Sequence, residues 1–558
     1  MSTFIGELDG KLLGPDTPES RRSTRELTTG SWRTWRPAFV QRPSPCNLDC
    51  PAGTDVRQVL SLAADGDVEG AWRLIREHNP LPGVCGRVCY HPCELACNRM
   101  RVDEPIGVHL VERALADQAR ARHYGPESAA LARPPRLVAV IGAGPAGLSC
   151  AYQLARRGNH VTVFDACARP GGLLRYGIPA YRLPRDVLDA EIALLHQLGV
   201  RFVGRARWNR DMMNLESFDA TFLAVGLQHS REAGIPGERL QGVRTGLDFL
   251  RDVNLTGGQQ MTGPVVVIGG GNTALDAARC ALRLGGCPQI VYRRGREDMP
   301  AHPDEIAEAE AEGIPFMFHA APVRFLRQGG HVSEVECQRM RPGPPDASGR
   351  RRPEPIPGAT FRLPARLVLT AVGEELEREV VADLADATSG RILADRWGRT
   401  SHRGFFAGGD AATGAGTVVD AIGSGQRAAI AMLALFDGND PQESGLVRRV
   451  GGDDLNLFYF ETAAAARPPH RSQAEARGTF EEVVAGLAWD EARREARRCV
   501  SCGLCTGCGT CVTYCPDVAI RPSGTTGYEI DYAHCKGCGL CAQECPRGAL
   551  TLTTEAGR

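Results

Sequence analysis

The feature that most constrains this 558-residue chain is a cysteine spacing that occurs twice near its C-terminus. The two strings comprise Cys505, Cys508, Cys511 and Cys515, then Cys535, Cys538, Cys541 and Cys545. Each string has the form C-x2-C-x2-C-x3-C-P. Three closely spaced thiolates on one loop suit three irons of a cubic cluster, and the fourth iron then needs a ligand from elsewhere. The spacing therefore predicts two [4Fe–4S] clusters.

The last cysteine of each string is predicted to bind the cluster of the other string, as in two-cluster bacterial ferredoxins. One cluster then takes Cys505, Cys508, Cys511 and Cys545, and the other takes Cys535, Cys538, Cys541 and Cys515. The alternative is a pair of zinc knuckles, but zinc sites use C-x2-C pairs separated by a longer loop. Cys499 and Cys502 precede the strings and are either further ligands or structural thiols.

The composition and the N-terminus favour a cytoplasmic protein. No apolar run is long enough to cross a bilayer, and residues 1–32 lack the continuous apolar core of a secretory signal. In the cytoplasm a chain with 21 cysteines is expected to use them as metal ligands rather than in disulfides. The 65 Lys and Arg residues nearly balance the 66 Asp and Glu residues, so the net charge does not indicate a nucleic-acid partner.

A glycine-rich turn lies within RLVAVIGAGPAGLSCAYQLARRGNHVTVFDA, residues 136–166. An apolar strand precedes Gly142, Gly144 and Gly147, and a helix and a second strand follow, ending at Asp165. Glycines permit the tight turn, the helix N-terminus faces a pyrophosphate, and an acidic residue at this position binds a ribose hydroxyl. A glycine turn without a ligand is the alternative, but the flanking strands, helix and carboxylate all agree with dinucleotide binding.

A second turn of this kind begins in PVVVIGGGNTALDAAR at residue 264, with Gly269, Gly271 and Ala274 at the motif positions. Its second strand ends in Arg293 and Arg294 and carries no carboxylate. Arginines at this place suit the additional phosphate of NADP, so we expect NADP(H) rather than NAD(H). The alternative is that both arginines only face solvent.

Two dinucleotide sites in one chain suggest a flavin beside a nicotinamide. The first unit is followed by GGLLRYGIP at 171–179, and GFFAGGDAATGAGTVVDAIGSGQRAA occurs much later, at 404–429. A returning segment of this kind supplies contacts to a flavin. Because the second unit lies between these segments, one dinucleotide domain is predicted to be inserted in the other.

The motifs VAVIGAGPAGLSCA, GGLLRYGIPAYRLP, VVVIGGGNTALDAAR, YRRGREDMPA and FFAGGDAATG resemble the small subunit of glutamate synthase and the flavin half of dihydropyrimidine dehydrogenase. The resemblance covers about residues 40–440 and implies FAD in the first unit and NADPH in the second. It assigns FAD to Gly142, Gly144, Pro145, Ala146, Gly147, Asp165, Gly172, Leu173, Gly409, Asp410 and Thr417. It assigns NADPH to Gly269, Gly271, Asn272, Thr273, Arg293 and Arg294.

The same resemblance implies an N-terminal helical domain with iron–sulfur clusters. The cysteines available for it are Cys46, Cys50, Cys85, Cys89, Cys93 and Cys97. The family usually has a C-x2-C pair just before the position of Cys46, and this chain has none, so one cluster is expected to be missing or altered. For the retained cluster we expect Cys50, Cys89 and Cys93, with Glu112 as the fourth ligand.

The other ligand choices in this region stay open. Cys46, Cys85 and Cys97 compete for the same cluster, and a zinc site or buried thiols without metal are the alternatives. Isolated cysteines are predicted to be ordinary core residues. They are Cys150, Cys167, Cys280, Cys287 and Cys337.

These assignments predict a multidomain α/β protein with a helical iron–sulfur domain, two Rossmann-like domains and a C-terminal α+β ferredoxin-like domain. The predicted order is a polar arm at 1–40, the helical domain at 41–130, an FAD domain at 136–250 and 366–440, an NADP(H) domain at 255–365, a connector at 440–490 and the ferredoxin domain at 495–558. In the segment EARREARRC, a basic helix is expected to present either a solvated face or a docking patch.

The predicted activity is electron transfer between NADP(H) and a partner through FAD and [4Fe–4S] clusters, in either direction. The partner is a ferredoxin or a larger oxidoreductase subunit, such as a 2-oxoacid:ferredoxin oxidoreductase. The alternatives are the glutamate synthase small subunit itself and a cofactor-bearing subunit without independent turnover. Hydride transfer to a flavin needs no acid–base group, so no catalytic residue is predicted.

Overall fold

The computed structural model describes residues 26, 28–128, 134–208, 217–377, 385–386, 390–414, 416–442, 448–524 and 527–555. The chain divides into two compact units. The smaller comprises residues 1–45, 446–462 and 500–558, and the larger comprises residues 46–445 and 463–499. Most of the predicted N-terminal arm, residues 1–25, lies outside the described residues.

Five described strands form the first parallel sheet of the larger unit. Their spatial order is Phe405–Ala407, Ala220–Leu223, Leu137–Ile141, His160–Asp165 and Arg201–Gly204. The accompanying helices are Pro145–Ala155, Leu173–Tyr176, Arg185–Gln197, Asp410–Thr413 and Val418–Phe436. The apolar run Val138–Ile141 is buried because helices cover a parallel sheet of this kind on both faces.

Five described strands form a second parallel sheet, in the order Phe316–Met317, Cys287–Val291, Pro264–Ile268, Leu367–Thr370 and Val243–Thr245. Its helices are Gly246–Thr256, Asn272–Arg283 and Pro303–Ala311, with a 3-10 turn at Arg296–Asp298. An antiparallel sheet follows, made of Ala320–Gln328, His331–Pro345 and Arg351–Pro364. Two-stranded pairs join His229–Ser230 to Glu374–Glu375 and Ala385–Asp386 to Arg391–Ile392.

The boundary between the two dinucleotide domains differs from the predicted one. Leu367–Thr370 pairs with Pro264–Ile268 on one side and with Val243–Thr245 on the other, so all three strands belong to the second sheet. The helix Gly246–Thr256 contacts Asn272–Arg283 of the same domain. The inserted domain therefore extends at least from residue 243 to residue 370, because strand pairing and not the glycine motif fixes its ends.

The helical domain of the larger unit is built from short amphipathic helices. They are Val56–Asp65, Val68–His78, Pro82–Val88, Pro92–Leu95 and Val108–Ala121, with the short helix Pro45–Leu48 before them and a 3-10 turn at Asn98–Arg101. Asp55 caps the helix Val56–Asp65 and Asp67 caps the helix Val68–His78, each by accepting a backbone N–H group. Gly66 ends the helix Val56–Asp65 in the left-handed conformation.

The predicted basic segment forms the helix Trp489–Arg497, which docks onto the helical domain. Ala492 and Ala496 are buried, while Arg494 and Arg497 remain exposed. The exposed arginines agree with the solvated-face alternative, and a docking patch for a partner stays a prediction. The preceding part of the predicted connector contains the helix Gln473–Gly478, whose Ala476 packs into the core of the inserted domain.

The smaller unit contains the C-terminal cysteine strings. Its strands are Ile520–Ser523 paired with Gly527–Ile530 and Trp35–Phe39 paired with Leu550–Thr554, both antiparallel. Its helices are Thr510–Thr513 and Leu540–Gln543, with 3-10 turns at Thr29–Trp32, Gly452–Asp454 and Leu457–Tyr459.

The structure corrects the predicted arm at residues 1–40, because residues 35–39 form a strand of the ferredoxin-like unit. The segment is fastened further by Arg33, whose guanidinium donates to Glu555 at 2.6 Å and to the carbonyl oxygen of Tyr532 at 2.6 Å. Pro37 in the middle of this segment argues against a strand in the sequence, because proline is confined to edge strands, and the partner strand Leu550–Thr554 lies far along the chain.

One described helix, Val418–Phe436, passes a length and hydropathy test for crossing a membrane. In this fold it packs along Pro145–Ala155 in the core of the first dinucleotide domain.

Candidate functional site

One cavity of about 1200 Å³ is lined by both glycine-rich turns of the larger unit. Cavities for single drug-sized ligands commonly measure about 300–1,000 Å³, so this volume suits two nucleotide cofactors that meet end to end. The predicted FAD residues that line it are Gly142, Gly144, Pro145, Ala146, Asp165, Gly172, Leu173, Gly409, Asp410 and Thr417. The predicted NADPH residues that line it are Gly269, Gly271, Asn272, Thr273, Arg293 and Arg294.

In the first turn, two glycines are required by the backbone around them. A Cβ at Gly142 would lie 2.2 Å from the carbonyl oxygen of Ala224, and φ there is 105°. A Cβ at Gly147 would lie 1.9 Å from the carbonyl oxygen of Gly142, which is why this residue does not line the cavity but supports the turn from behind. At Gly144 a Cβ would meet no atom within 4 Å, so this residue leaves open space for a ligand.

Asp165 holds the first turn in place. One carboxylate oxygen accepts the N–H of Ala143 at 2.7 Å, and the other accepts the N–H of Cys167 at 2.7 Å. Burial raises the pKa of this carboxyl group, and the two hydrogen bonds oppose the rise. Ribose binding by Asp165 stays a prediction; the contacts show that the same carboxylate fixes the turn.

The returning segments close the first site from the other side. A Cβ at Gly172 would lie 2.7 Å from Cα of Gly144, so this approach requires glycine, and φ at Gly172 is 51°. Thr417 caps the helix Val418–Phe436 through its hydroxyl oxygen, which accepts the N–H of Asp420. Burial raises the pKa of Asp410 to about 6.

The second turn has the same backbone shape as the first, but different residues contact it. A Cβ at Gly269 would lie 2.3 Å from the carbonyl oxygen of Ala371, and Gly271 again leaves open space. The side-chain oxygen of Asn272 accepts the N–H of His302 at 3.0 Å. Ala274 is fully buried at the position that corresponds to Gly147, so this turn has room for a methyl group there.

The two arginines after the second strand have different surroundings. Arg294 is buried, donates to the carbonyl oxygen of Arg351 at 2.7 Å and pairs with Asp346 at 2.6 Å. Arg293 is exposed at the cavity. Arg350, which no sequence pattern indicated, also lines the cavity. These contacts favour Arg293 and Arg350 over Arg294 as partners of a 2′-phosphate.

These features fit two dinucleotides. Gly144 and Gly271 each lie at the start of a helix and leave open the space that a larger side chain would fill. The N–H groups at the N-terminus of a helix bind phosphate. The donor set beyond the second strand is cationic, as a nucleotide phosphate requires.

The helical domain brings four of its cysteines to one small cavity. A small cavity of about 40 Å³ is lined by the predicted ligands Cys50, Cys89, Cys93 and Glu112, and also by Cys85. Burial raises the pKa of all four thiols, because a thiolate here would be removed from water. This donor set fits an iron–sulfur cluster.

Glu112 lies on the helix Val108–Ala121 and accepts a hydrogen bond from Asn79 at 2.8 Å. Burial raises the pKa of its carboxyl group to about 8. Its place beside the thiols agrees with its predicted role as a ligand, and Cys85 is the competing donor.

Cys46 and Cys97 do not line this cavity. They pack against the buried core of the helical domain that includes Cys93, and so does Cys499, a residue from far along the chain. The sequence left Cys499 without a role because 402 positions separate it from Cys97.

In the smaller unit the thiols group as the predicted crossed sets. Burial raises the pKa of Cys511 to about 11, and the charges of Cys508, Cys505 and Cys545 raise it further. Burial likewise raises the pKa of Cys541 to about 12, with further contributions from Cys535, Cys515 and Cys538 and a smaller one from Cys511. Each set thus includes the last cysteine of the other string, and four thiols per set fit a cubic cluster.

Of the isolated cysteines, Cys150, Cys280 and Cys337 are buried as predicted. Cys167 is only partly buried, and Cys287 is exposed at the start of its strand. The core prediction was wrong for Cys287, because the first residue of a strand need not reach the core.

Three family models match the chain. The pyridine nucleotide-disulphide oxidoreductase model matches residues 136–425, which is more than half of the sequence. The chain belongs to this oxidoreductase family. The model of dihydropyrimidine dehydrogenase domain II, 4Fe-4S cluster, matches residues 40–124, and the 4Fe-4S dicluster domain model matches residues 504–549.

Several curated proteins are similar to this oxidoreductase over most of their length. The NADP(+)-dependent formate dehydrogenase subunit beta of Moorella thermoacetica is 38% identical over 516 residues, covering 84% of this chain and 71% of that protein. The NADPH-Fe(3+) oxidoreductase subunit beta of Geobacter sulfurreducens is 35% identical, with coverage of 84% and 77%. The glutamate synthase [NADPH] small chain of Escherichia coli is 35% identical, with coverage of 69% and 87%.

These matches confirm the predicted fold class, the glutamate synthase small subunit-like character and the cofactor classes: FAD, NADP(H) and [4Fe–4S] clusters. The protein is an NADPH-dependent oxidoreductase that transfers electrons through flavin and iron–sulfur groups. The individual residues assigned to each cofactor stay predictions.

The structure of this oxidoreductase also shows a connection that the motifs did not indicate. Val88 and Tyr90, on either side of Cys89, line the dinucleotide cavity, while Cys89 lines the small thiol cavity. Tyr90 stacks on His302, with ring centroids 4.4 Å apart. The helical domain and the dinucleotide cavity therefore share one short segment of chain.

Proposed function

We propose that this chain is the NADP(H)-linked electron-transfer subunit of a larger oxidoreductase. The observation that carries the proposal is the shared cavity, which both glycine-rich turns line and which the neighbours of Cys89 reach. A hydride donor and its acceptor have to be in contact, and an electron leaving that contact needs a nearby one-electron carrier.

In this proposal the residues of the chain bind the cofactors and orient them. The two helix N-termini hold the pyrophosphates, Arg293 and Arg350 select the phosphorylated nucleotide, and Asp165 fixes the first turn. When bound, the flavin takes up two electrons as a hydride and returns them singly, which links a nicotinamide to iron–sulfur clusters. The thiols of both cysteine regions bind the clusters.

Either direction of electron flow is compatible with this design. The reduction potentials of protein-bound iron–sulfur clusters span about −700 to +450 mV, so electron transfer from reduced ferredoxin to NADP⁺ is as reasonable as transfer from NADPH to an acceptor. The environment of each cluster, which sets its potential, decides the direction.

For the partner we infer a ferredoxin-like protein or the catalytic subunit of an oxidoreductase, for example one that oxidises a 2-oxoacid or formate. Support comes from relatives that are named as beta subunits and that match 84% of this chain. A subunit that carries its own two-cluster domain is suited to pass electrons to another protein.

The test uses the anaerobically purified full chain. NADPH oxidation is followed with ferricyanide or a viologen as acceptor, and the reverse reaction is followed with reduced viologen and NADP⁺. Turnover with NADPH well above turnover with NADH is expected, and reduced clostridial-type ferredoxin is expected to support NADP⁺ reduction. Absence of flavin and of any NADPH-dependent dye reduction would contradict the proposal and would favour a subunit without independent turnover.

The glutamate synthase small subunit is the second candidate function. The E. coli small chain aligns with only 69% of this chain although 87% of its own length is covered, so it has no counterpart for much of the additional sequence here. The discriminating assay adds a glutamate synthase large subunit with glutamine and 2-oxoglutarate. Glutamate formation driven by NADPH would favour this candidate, and no stimulation is expected.

A further inference from the structure

His91 lies between Cys89 and Cys93, two predicted ligands of the helical-domain cluster, and has an unusual backbone conformation. Its φ is 37° and its ψ is 61°, which is the left-handed region. A residue other than glycine adopts this conformation at a cost in free energy, and the conformation persists only where surrounding contacts hold it. The neighbours of His91 therefore have to hold its backbone in place.

The backbone of His91 contacts the sulfur of Cys89. Its N–H donates to Sγ of Cys89 at 3.2 Å. Cys89 and Cys93 both line the small thiol cavity, so the chain is fixed on either side of His91. A change in φ at His91 then has to reorient the peptide that carries this N–H. The left-handed conformation and the contact with sulfur thus depend on each other.

Glu94 binds the side chains of both His91 and His109. Its carboxylate lies 3.2 Å from Nδ1 of His91 and 2.8 Å from Nδ1 of His109. It also accepts the backbone N–H of His109 at 2.9 Å, and Glu94 itself is buried. Because a carboxylate only accepts hydrogen bonds, both imidazoles donate to it through Nδ1.

The imidazole rings of His91 and His109 also stack, with centroids 4.0 Å apart and an angle of 12° between their planes. The lone pair of an imidazole nitrogen lies in the plane of its ring, so two stacked rings do not direct Nδ1 at one shared metal ion. His109 belongs to the helix Val108–Ala121, which is a regular element of the domain. His91, Glu94 and His109 therefore form a hydrogen-bonded clamp, here called the histidine clamp.

A hydrogen bond to a ligand sulfur changes the reduction potential of an iron–sulfur cluster. Reduction adds one negative charge, which is shared by the cluster and its thiolate ligands. An N–H donor stabilises the more negative state, so it raises the potential. The bond from His91 to Cys89 acts in this direction.

We propose that Glu94 and His109 are positioning residues that hold His91 in its left-handed conformation, so that its N–H stays on Cys89 and raises the reduction potential of the helical-domain cluster. The inference rests on the proposed electron-transfer function and on Cys89 as a ligand. It names one contact that determines how readily this cluster accepts an electron from the flavin.

The first test compares His91→Ala with His91→Gly in the anaerobically purified full chain. Both variants lose the imidazole, but only alanine is strained in the left-handed region. The reduction potential is measured by a redox titration followed by electron paramagnetic resonance. In His91→Ala the equilibrium constant for one-electron reduction should fall about ten-fold, which is a decrease of about 59 mV. His91→Gly should keep most of the wild-type potential.

The second test uses His109→Phe, which keeps a ring for stacking and loses the hydrogen bond to Glu94. Its potential should fall in the same direction and by less than in His91→Ala. His123→Ala is the matched control. His123 also has a positive φ, 56°, but it is exposed and does not line the thiol cavity. Its substitution should leave the potential unchanged.

The relevant signal is the one that Cys89→Ser alters. If Cys89→Ser altered no signal, Cys89 would not be a ligand and the proposal would fail. Iron content, FAD content and NADPH–ferricyanide activity should be unchanged in the variants of His91, so loss of the cluster or failure of the proposed function is recognised separately.

Two results would overturn the proposal. Equal shifts in His91→Ala and His91→Gly would show that the imidazole acts directly on the cluster and not through the backbone. An unchanged potential in His91→Ala would show that the backbone keeps its contact with Cys89 without the histidine clamp.

Discussion

The two glycine-rich turns share a motif and differ in what holds them. In the first, Asp165 accepts two backbone N–H groups, one from the turn itself. In the second, no carboxylate stands at that place, and Asn272 instead receives the N–H of His302 from a neighbouring loop. In these side-chain contacts the first turn is bound from within its own βαβ unit, whereas the second is bound to a segment outside it.

The third motif position shows the same contrast. The first turn allows no side-chain atom at Gly147, because the carbonyl oxygen of Gly142 occupies that space, while the second already holds the methyl group of Ala274. The comparison teaches that the motif specifies a shape, and that surrounding contacts decide how much change each turn tolerates.

The largest effect is expected from Gly147→Ala. The added Cβ would lie 1.9 Å from a backbone oxygen, and overpacking of this kind costs about 1–3 kcal/mol or more. Flavin content per purified chain, measured by absorbance, should fall at least about ten-fold. Ala274→Gly, the matched change in the second turn, should retain FAD, and NADP⁺-induced thermal stabilisation reports that the inserted domain is folded. Full flavin content in Gly147→Ala would break the comparison.

The second-largest effect is expected from Asp165→Ala. Two N–H groups lose a charged acceptor, and a hydrogen bond to a charged group contributes about 1.5–3 kcal/mol. FAD dissociation, followed by flavin fluorescence on dilution, should accelerate about ten- to hundred-fold, by the same energies. Asp165→Asn keeps one acceptor oxygen and should be intermediate. An equal effect of both substitutions would show that the negative charge, and not the number of acceptors, holds the turn.

Arg293→Ala tests the cationic side of the second site. Loss of a charge-assisted contact to the 2′-phosphate should raise KM for NADPH about ten-fold and leave KM for NADH unchanged. Arg294→Ala is the matched control, because its guanidinium already serves Asp346 and the carbonyl oxygen of Arg351. If Arg294→Ala alone changed the NADPH preference, the assignment of the two arginines would be reversed.

The smallest effect is expected from Asn272→Ala. It removes one neutral hydrogen bond, about 0.5–1.5 kcal/mol, so KM for NADPH should rise about two- to ten-fold with FAD content unchanged. Measuring both quantities in one preparation sharpens the comparison, since a parallel loss of FAD would mean that the two turns are not supported independently.

Much of this architecture was predictable because its signals are local. Leu137 to Asp165 form one continuous strand–turn–helix–strand, and each C-terminal string supplies three ligands from a single loop, so spacing alone indicates the chemistry. The crossed grouping of Cys515 and Cys545 was also predictable, because a loop of three thiolates leaves one iron corner for a distant cysteine.

Features that depend on distant contacts were not predictable. In the sequence Arg294 is equivalent to Arg293, but in the structure the guanidinium of Arg294 pairs with Asp346. Arg350 carries no motif, and the strand Trp35–Phe39 is defined by its partner Leu550–Thr554. The strand Leu367–Thr370 belongs to the inserted domain only because both of its neighbours do.

The sequence by itself determined the cofactor classes, because glycine turns and cysteine spacings act over a few residues where covalent geometry fixes the outcome. Only the tertiary structure decided that both turns open into one cavity and that Cys499, far along the chain, packs against the core of the helical domain. Packing of buried surfaces brings such residues together. The free energy of this packing is distributed over many side chains and is not encoded at any one position.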